Sequence, residues 1–303
     1  MSEGKVIAWH YATRQPMRVR WHDGKITHCE FTLAVPENVW IAPPLLDLQV
    51  NGFAGVDFGR DGITSDELLR AVHALRIAGC VQFLLTLTTD PWPRMMARLK
   101  AIREMRAQSP ILSAAIAGWH IEGPFLSPEP GFRGAHDSSV MCDPKPEYIR
   151  ELRELTAGDP VLLTLAPERP GALEAIELAA SLGIKVSLGH CNPSAEVLSA
   201  AVQAGATSFT HLGNGIPQQL DRHDNILWRA LETPGLFVGL IPDRIHVSPA
   251  LFRIFHRQLG ASRIWYTTDA VSPAGMPPGR YTLGRLEIDL DPVVGRPAQG
   301  VSH

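Results

Sequence analysis

Residues 161–211 read VLLTLAPERPGALEAIELAASLGIKVSLGHCNPSAEVLSAAVQAGATSFTH. Three apolar runs of strand length, Val161–Ala166, Lys185–Leu188 and Ser208–Thr210, alternate with two helical patterns. The patterns run from Gly171 to Gly183 and from Ser194 to Gly205, each closed by a glycine where a helix would stop. Strands separated by a whole helix lie parallel, because the helix carries the chain back to its starting edge. Outward from this segment the format recurs. Apolar runs stand at Leu45–Val50, Val81–Leu87, Ala114–Ile121, Leu236–Ile241 and Arg263–Thr267. Thr64 and Glu67 have capping-box spacing, Leu68, Val72 and Leu75 share one helical face, and Gly79 follows as a stop. Eight strands interleaved with helices predict an α/β fold, a parallel (β/α)8 TIM-like barrel. A doubly wound open sheet is the alternative, but Asn51-Gly52-Phe53-Ala54-Gly55 after the first strand matches its phosphate-binding turn poorly.

Residues 1–44 have a different texture. Alternating stretches at Met17–Trp21 and Lys25–Phe31 flank Asp23-Gly24, a hairpin signal. We expect a small β domain over 1–44 and the barrel over 45–303. After the eighth run roughly 35 residues remain, Arg280–Leu290 reads as a hairpin, and no amphipathic pattern follows. The barrel is therefore expected to lack its last helix and to be incomplete in its C-terminal part.

Composition narrows the function classes. The 303 residues carry 28 Lys plus Arg against 31 Asp plus Glu, a net charge of −3, so no nucleic-acid surface is indicated. With 45% hydrophobic and 19% charged residues the chain can bury a large core. No apolar run approaches the roughly 18 residues of a membrane span, and Met1–Pro16 lacks the apolar stretch of a signal peptide. Cys29, Cys80, Cys142 and Cys191 are scattered without a CxxC pair, which points to a reducing, cytoplasmic setting.

Chemistry in such a barrel sits where the strands end. There the sequence places Gln49 and Asn51, His120 and Glu122, His190, His211, Asp243 with His246, and Asp269. Glu122, His190 and His211 together suit one divalent metal with a position left open for water, whose pKa the metal brings toward roughly 7. Asp269, at the end of an apolar strand, is the natural general base. Arg222 and His246 could hold an anion. Elsewhere, His10, His73 and His256 read as hydrogen-bonded core residues.

The segments LDLQVNGFAGVDF (46–58), GWHIEGPFLSPEPGFRGAHD (118–137), VSLGHCNPSAE (186–196), ATSFTHLGNGIPQ (206–218), GLIPDRIHVSP (239–249) and TTDAVSPAGMPPGRYTLG (267–284) resemble the N-acetylglucosamine-6-phosphate deacetylase family of the amidohydrolase superfamily. The resemblance runs from about Leu45 to about Leu290. It implies a barrel with a small β-sandwich domain, and hydrolysis of N-acetylglucosamine 6-phosphate to glucosamine 6-phosphate and acetate by attack of metal-bound hydroxide on the acetamide. It further implies Glu122, His190 and His211 as ligands of one metal, zinc first, with iron, cobalt or manganese as alternatives. It makes Asp269 the acid/base and His136 the group that polarises the acetyl carbonyl. Ala135, Asn214 and Gly215 become contacts to the sugar, Arg222 and His246 contacts to the phosphate, and the arginine's origin in a partner subunit implies a homodimer. Gln49 and Asn51 occupy the place of the two histidines many superfamily members have, a vestigial second metal position, since amides bind cations poorly.

This chain departs from the family in HLGNGI (211–216), where Gly213 and Gly215 are expected to loosen the pocket wall, and in Asp243-Arg244, which adds charge near the proposed phosphate. Two other readings fit the same residues: an amidohydrolase acting on another N-acyl sugar or amino acid, and a shortened, non-catalytic sugar-phosphate-binding relative.

Overall fold

A computed structural model describes residues 3–283, 286–291 and 295–297. The chain forms two compact units, Met1–Leu45 and Leu46–His303. In the first, β1 (Glu3–His10), β2 (Pro16–His22), β3 (Lys25–Phe31) and β4 (Trp40–Ile41) make one sheet in the order β3-β2-β1-β4. Asp23 and Gly24 both take positive φ (47° and 74°), the twist that a two-residue hairpin needs between β2 and β3.

The second unit is built on eight strands: β5 (Leu45–Val50), β8 (Cys80–Thr88), β9 (Ile116–Glu122), β10 (Val161–Leu165), β11 (Lys185–Leu188), β12 (Ala206–Phe209), β13 (Phe237–Leu240) and β14 (Ile264–Tyr266). They lie side by side in chain order. A short pair, β6 (Gly52–Phe53) and β7 (Val56–Asp57), follows β5, and an antiparallel sheet of β15 (Gly279–Leu283), β16 (Leu286–Leu290) and β17 (Gly295–Pro297) follows β14. The helices are α1 (Ser65–Ile77), α2 (Trp92–Gln108), α3 (Pro110–Ala115), α4 (Pro146–Thr156), α5 (Ala172–Ser181), α6 (Ala195–Ala204), α7 (Ile226–Glu232) and α8 (Pro249–Leu259). Among the described residues no α-helix follows β14.

Local chemistry explains most boundaries. The Thr64–Glu67 capping box opens α1, which buries Leu68, Val72 and Leu75 as its spacing requires. Ser194, Asn225 and Ser248 accept backbone N–H bonds at the starts of α6, α7 and α8. The third barrel strand starts at Ile116 rather than at Ala114. Ser109 and Pro110 nucleate α3, and the two alanines at 114 and 115 follow as good helix formers. Of the histidines read as core residues, His73 is exposed on α1, while His10 bonds Thr13 and His256 bonds Tyr266 on half-buried surfaces.

The barrel closes differently at its last seam. Among the described residues β5 and β14 share no ladder; β5 meets the chain beyond β14 at the single bridge Val50–Ala270, supported by Asn51 N–H donating to the Ala270 carbonyl at 2.7 Å. Within the barrel a polar chain crosses the core: His120 Nε2 to Thr164 Oγ1 at 2.7 Å, Thr164 Oγ1 to Thr210 Oγ1 at 2.8 Å, and Thr210 Oγ1 donating to Ser187 Oγ at 2.6 Å. Burial holds His120 neutral, with its pKa down at about 4.

Candidate active site

Glu122 closes β9 and is 3% exposed. Three histidines from three separate segments turn toward its carboxylate. His211 Nε2 lies 2.9 Å from Oε1, His190 Nε2 lies 3.5 Å from Oε1, and His136 Nε2 lies 3.7 Å from Oε2. His190 and His211 follow β11 and β12 within two residues, so the ends of consecutive parallel strands deliver them to one rim. Both have left-handed backbone, with φ 48° and 33°, as does Asp269 at 53°. Outside glycine this region costs roughly 1–2 kcal/mol per residue, and such strain clusters at functional sites.

Electrostatics ties the group together. Burial alone would raise the Glu122 pKa, but the His190 and His211 rings against its carboxylate and the nearby His136 outweigh it and hold the carboxyl well below its usual range. Burial opposes a charge on His211, yet the Glu122 carboxylate prevails and raises it. His136 is driven down to about 3, first by burial and then by His190, so it stays neutral.

The donor set fits a divalent cation. His190 Nδ1 lies 3.0 Å from the Phe132 carbonyl, which fixes the proton on Nδ1 and turns the Nε2 lone pair into the cluster. That lone pair lies 3.3 Å from His136 Nε2, and Glu122, His136 and His190 offer ligand atoms all within 4.8 Å of one another. Buried His211 Nδ1 has no hydrogen-bond partner among the described residues. Imidazole nitrogens facing a carboxylate at this spacing suit zinc or a similar ion. The convergence thus includes His136, to which the resemblance gives a different role, polarising the acetyl carbonyl.

Asp269 stands beside this cluster, three residues past β14 and partly exposed. Desolvation, then the negative Glu122, push its carboxyl up to about 7, with His211 and a hydrogen bond from Asn51 opposing. Asn51 Nδ2 donates to Asp269 Oδ1 at 2.7 Å, and Gln49 Nε2 donates to Glu122 Oε1 at 2.9 Å. The two amides of β5 and its end therefore serve as donors to the two carboxylates.

The substrate candidates are less gathered. Asn214 follows the His211 turn, its N–H donating to the His211 carbonyl at 2.9 Å. Gly215 has φ 62°, and a Cβ there would stand 2.7 Å from the His190 ring. It brings the backbone against that ring, which corrects the expectation that this glycine loosens the wall. Ala135 is exposed on the loop before His136. Arg222 is exposed, and its carbonyl accepts from Trp228 Nε1 at 3.3 Å. His246 pairs through Nδ1 with Asp243 Oδ2 at 2.6 Å, so the Asp243 charge is turned inward on its own turn. The structure does not bring Arg222 into contact with the histidine cluster.

A nearly closed parallel barrel carrying a carboxylate and converging imidazoles at its strand ends defines the metal-dependent amidohydrolase class. No family model matches the chain. It is 37% identical over 265 residues to the N-acetylglucosamine-6-phosphate deacetylase of Danio rerio, covering 84% of this chain and 64% of the relative. It is 32% identical to the N-acetylgalactosamine-6-phosphate deacetylase of Escherichia coli O157:H7, covering 86% of this chain and 67% of the relative. The chain belongs to the N-acetylglucosamine-6-phosphate deacetylase family. Among solved structures it superposes with a TM-score of 0.86 on a mutant of the Mycobacterium smegmatis deacetylase in complex with N-acetyl-D-glucosamine-6-phosphate, at 28% identity, covering 100% of this chain and 80% of that one. A 5-methylcytosine deaminase from Klebsiella pneumoniae, at 14% identity and a TM-score of 0.53, shares the fold. The chain spans less than two thirds of the Danio rerio relative and of the Vibrio furnissii deacetylase, 64% and 61% of their lengths.

Proposed function

We propose that this chain hydrolyses the acetamide of N-acetylglucosamine 6-phosphate to glucosamine 6-phosphate and acetate. The observation that carries the reading is the convergence of Glu122 with three imidazoles beside a carboxyl whose pKa lies near neutrality. Glu122, His190 and His211 would hold one divalent ion, zinc by preference, which when bound supplies a Lewis acid and an acidified water. The preference for His211 over His136 as ligand rests on rigidity. His190 and His211 stand directly on strand ends, whereas His136 sits on the loop after β9, where it can follow substrate.

The remaining roles follow from the geometry. Asn51 pins Asp269 Oδ1, which leaves Oδ2 to take a proton from the attacking water and return it to the leaving nitrogen. A pKa near 7 suits both steps. Neutral His136 can donate an N–H to the acyl oxygen as charge develops there. Gln49 and Asn51 are committed as donors to carboxylates, so the second metal position of the superfamily is vestigial and a single ion is proposed. Ala135, Asn214 and Gly215 are read as sugar contacts, Arg222 and His246 as phosphate contacts. Arg222, exposed on this chain, is read as reaching the phosphate from a partner subunit, and a homodimer is proposed. The free cysteines among the described residues support the cytoplasm as its compartment, and residues 1–44 are taken as a separate small β domain.

The N-acetylgalactosamine-6-phosphate deacetylase of Escherichia coli O157:H7 supports a second substrate reading, N-acetylgalactosamine 6-phosphate. The test is acetate release from both phosphosugars and from unphosphorylated N-acetylglucosamine, with metal content measured on the same sample. We expect turnover that needs about one metal per chain and falls when the phosphate is absent. Phosphosugar binding without acetate release identifies the non-catalytic relative. Equal turnover without the phosphate removes the phosphosugar reading.

A further inference from the structure

We propose that Asp47 is a positioning residue that holds Asp269 in its working geometry, an inference that rests on the deacetylase reading for its catalytic consequence. Asp47 lies in the middle of β5, 5% exposed, on the strand that also presents Gln49 and leads to Asn51. A buried carboxylate in a barrel wall is costly unless its acceptor sites are filled. Here they are. Oδ1 accepts from Gln49 N–H at 3.1 Å and from Thr267 Oγ1, and Oδ2 accepts from Thr268 N–H at 3.0 Å and from Thr268 Oγ1 at 2.6 Å. Three of the four donors belong to the two residues immediately before Asp269.

Two further features make this grip consequential. Strand pairing supplies almost nothing at this seam, where β5 meets the chain beyond β14 at one bridge, Val50–Ala270, among the described residues. The Asp269 backbone is left-handed, a conformation that persists only where its surroundings enforce it. Asp47 fixes the chain before Asp269. Asn51, four residues further along the same segment, fixes the carboxyl itself through Nδ2 and the chain after it through the Ala270 carbonyl. Asp269 is thus clamped from both sides by a single stretch, and Asp47 supplies the half that no ladder replaces. Thr268 Oγ1, which donates to Asp47, also accepts from Ala270 N–H at 3.1 Å and so links the two halves.

The tests use Asp47→Asn and Asp47→Ala in the full chain. Asparagine keeps the volume but turns an NH2 toward donors, so half of the contacts are lost without a cavity. A misplacement approaching 1 Å at a catalytic group costs up to about 100-fold. We expect kcat to fall about 10- to 100-fold in Asp47→Asn, with KM and metal content unchanged, at a temperature where the variant is folded. Independently of activity, amide hydrogen exchange of the peptide spanning Thr267–Ser272 should accelerate at least 10-fold. The same peptide should be unaffected in Thr156→Ala, a buried hydroxyl loss on α4 away from this seam that serves as the stability control. If Asp47→Ala fails to fold, Asp47→Asn carries both readouts. Unchanged exchange at 267–272, or a lowered Tm with wild-type kcat, overturns the proposal. Should the wild-type chain release no acetate, the deacetylase reading fails on its own, and the exchange arm still decides whether Asp47 holds this segment.

Discussion

Replacing Gly134 by alanine probes how tightly the loop of His136 is fitted to the metal-ligand candidates. Gly134 has φ 56°, and a Cβ built there lies 2.8 Å from His190 Cε1 and 3.1 Å from Nδ1, where ordinary contact begins at 3.4 Å. The ring or the loop must therefore give by about 0.6 Å. The ring is held by its bond to the Phe132 carbonyl, two residues before Gly134, so the push falls on the partner that fixes its tautomer. Disturbing such a partner costs about 10- to 100-fold in metal affinity. The left-handed backbone adds about 1–2 kcal/mol of strain once a Cβ is present. Gly62→Ala separates the two effects: its φ is 70° and nothing lies within 4 Å of its Cβ. We expect Gly134→Ala to lose at least as much stability in urea unfolding as Gly62→Ala, and Gly134→Ala alone to lose metal in competition with a chelator. Equal metal retention in both variants would refute the reasoning, because it would mean that the His190 ring tolerates the intrusion.

Three further outcomes are expected from the same structure. Asp269→Asn should keep its metal and lose acetate release by about 100- to 10,000-fold, the range of a general base; full turnover would remove Asp269 from that role. His120 is neutral in the fold, with its pKa near 4 against 6.5 in the unfolded chain. Between those values the unfolded state binds more protons, so stability rises with pH across that window. His120→Gln should flatten the slope of chelator-treated protein between pH 4.5 and 6.5, and an unchanged slope counts against this assignment. Asp159 accepts from Trp119 Nε1 at 3.0 Å and from Arg106 at 2.6 Å. Asp159→Ala strands the indole N–H of a fully buried tryptophan and should cost about 1–3 kcal/mol in urea unfolding, with metal content intact.

The barrel was legible because its strands are apolar runs that end abruptly in polar residues. Ile116–Ile121, Lys185–Leu188 and Ala206–Phe209 announce themselves, and Glu122, His190 and His211 stand where those runs stop, as Asp269 does after Ile264–Tyr266. The polar residue types together with the strand ends were enough to place these four side by side. Other features left no local signal. His136 reaches the cluster from a loop without periodicity, and only the family resemblance pointed to it. Asp47 looks like the polar half of an ordinary alternation, and its partners Thr267 and Thr268 lie some 220 residues away. His120, two residues before Glu122, shares its face of the strand but meets Thr164 rather than the histidine cluster. Sequence spacing gives the face and not the depth.

The left-handed backbone shared by positions 190, 211 and 269 also constrains which sequences this family of rims can explore. Histidine, aspartate and asparagine enter that region more readily than most side chains, and β-branched residues almost never do. The two chemistries needed here, a nitrogen donor and a carboxylate, are thus drawn from the few residue types the backbone accepts. A saturation library at these three sites should return glycine and asparagine among folded but inactive clones, and exclude valine and isoleucine even when only solubility is selected.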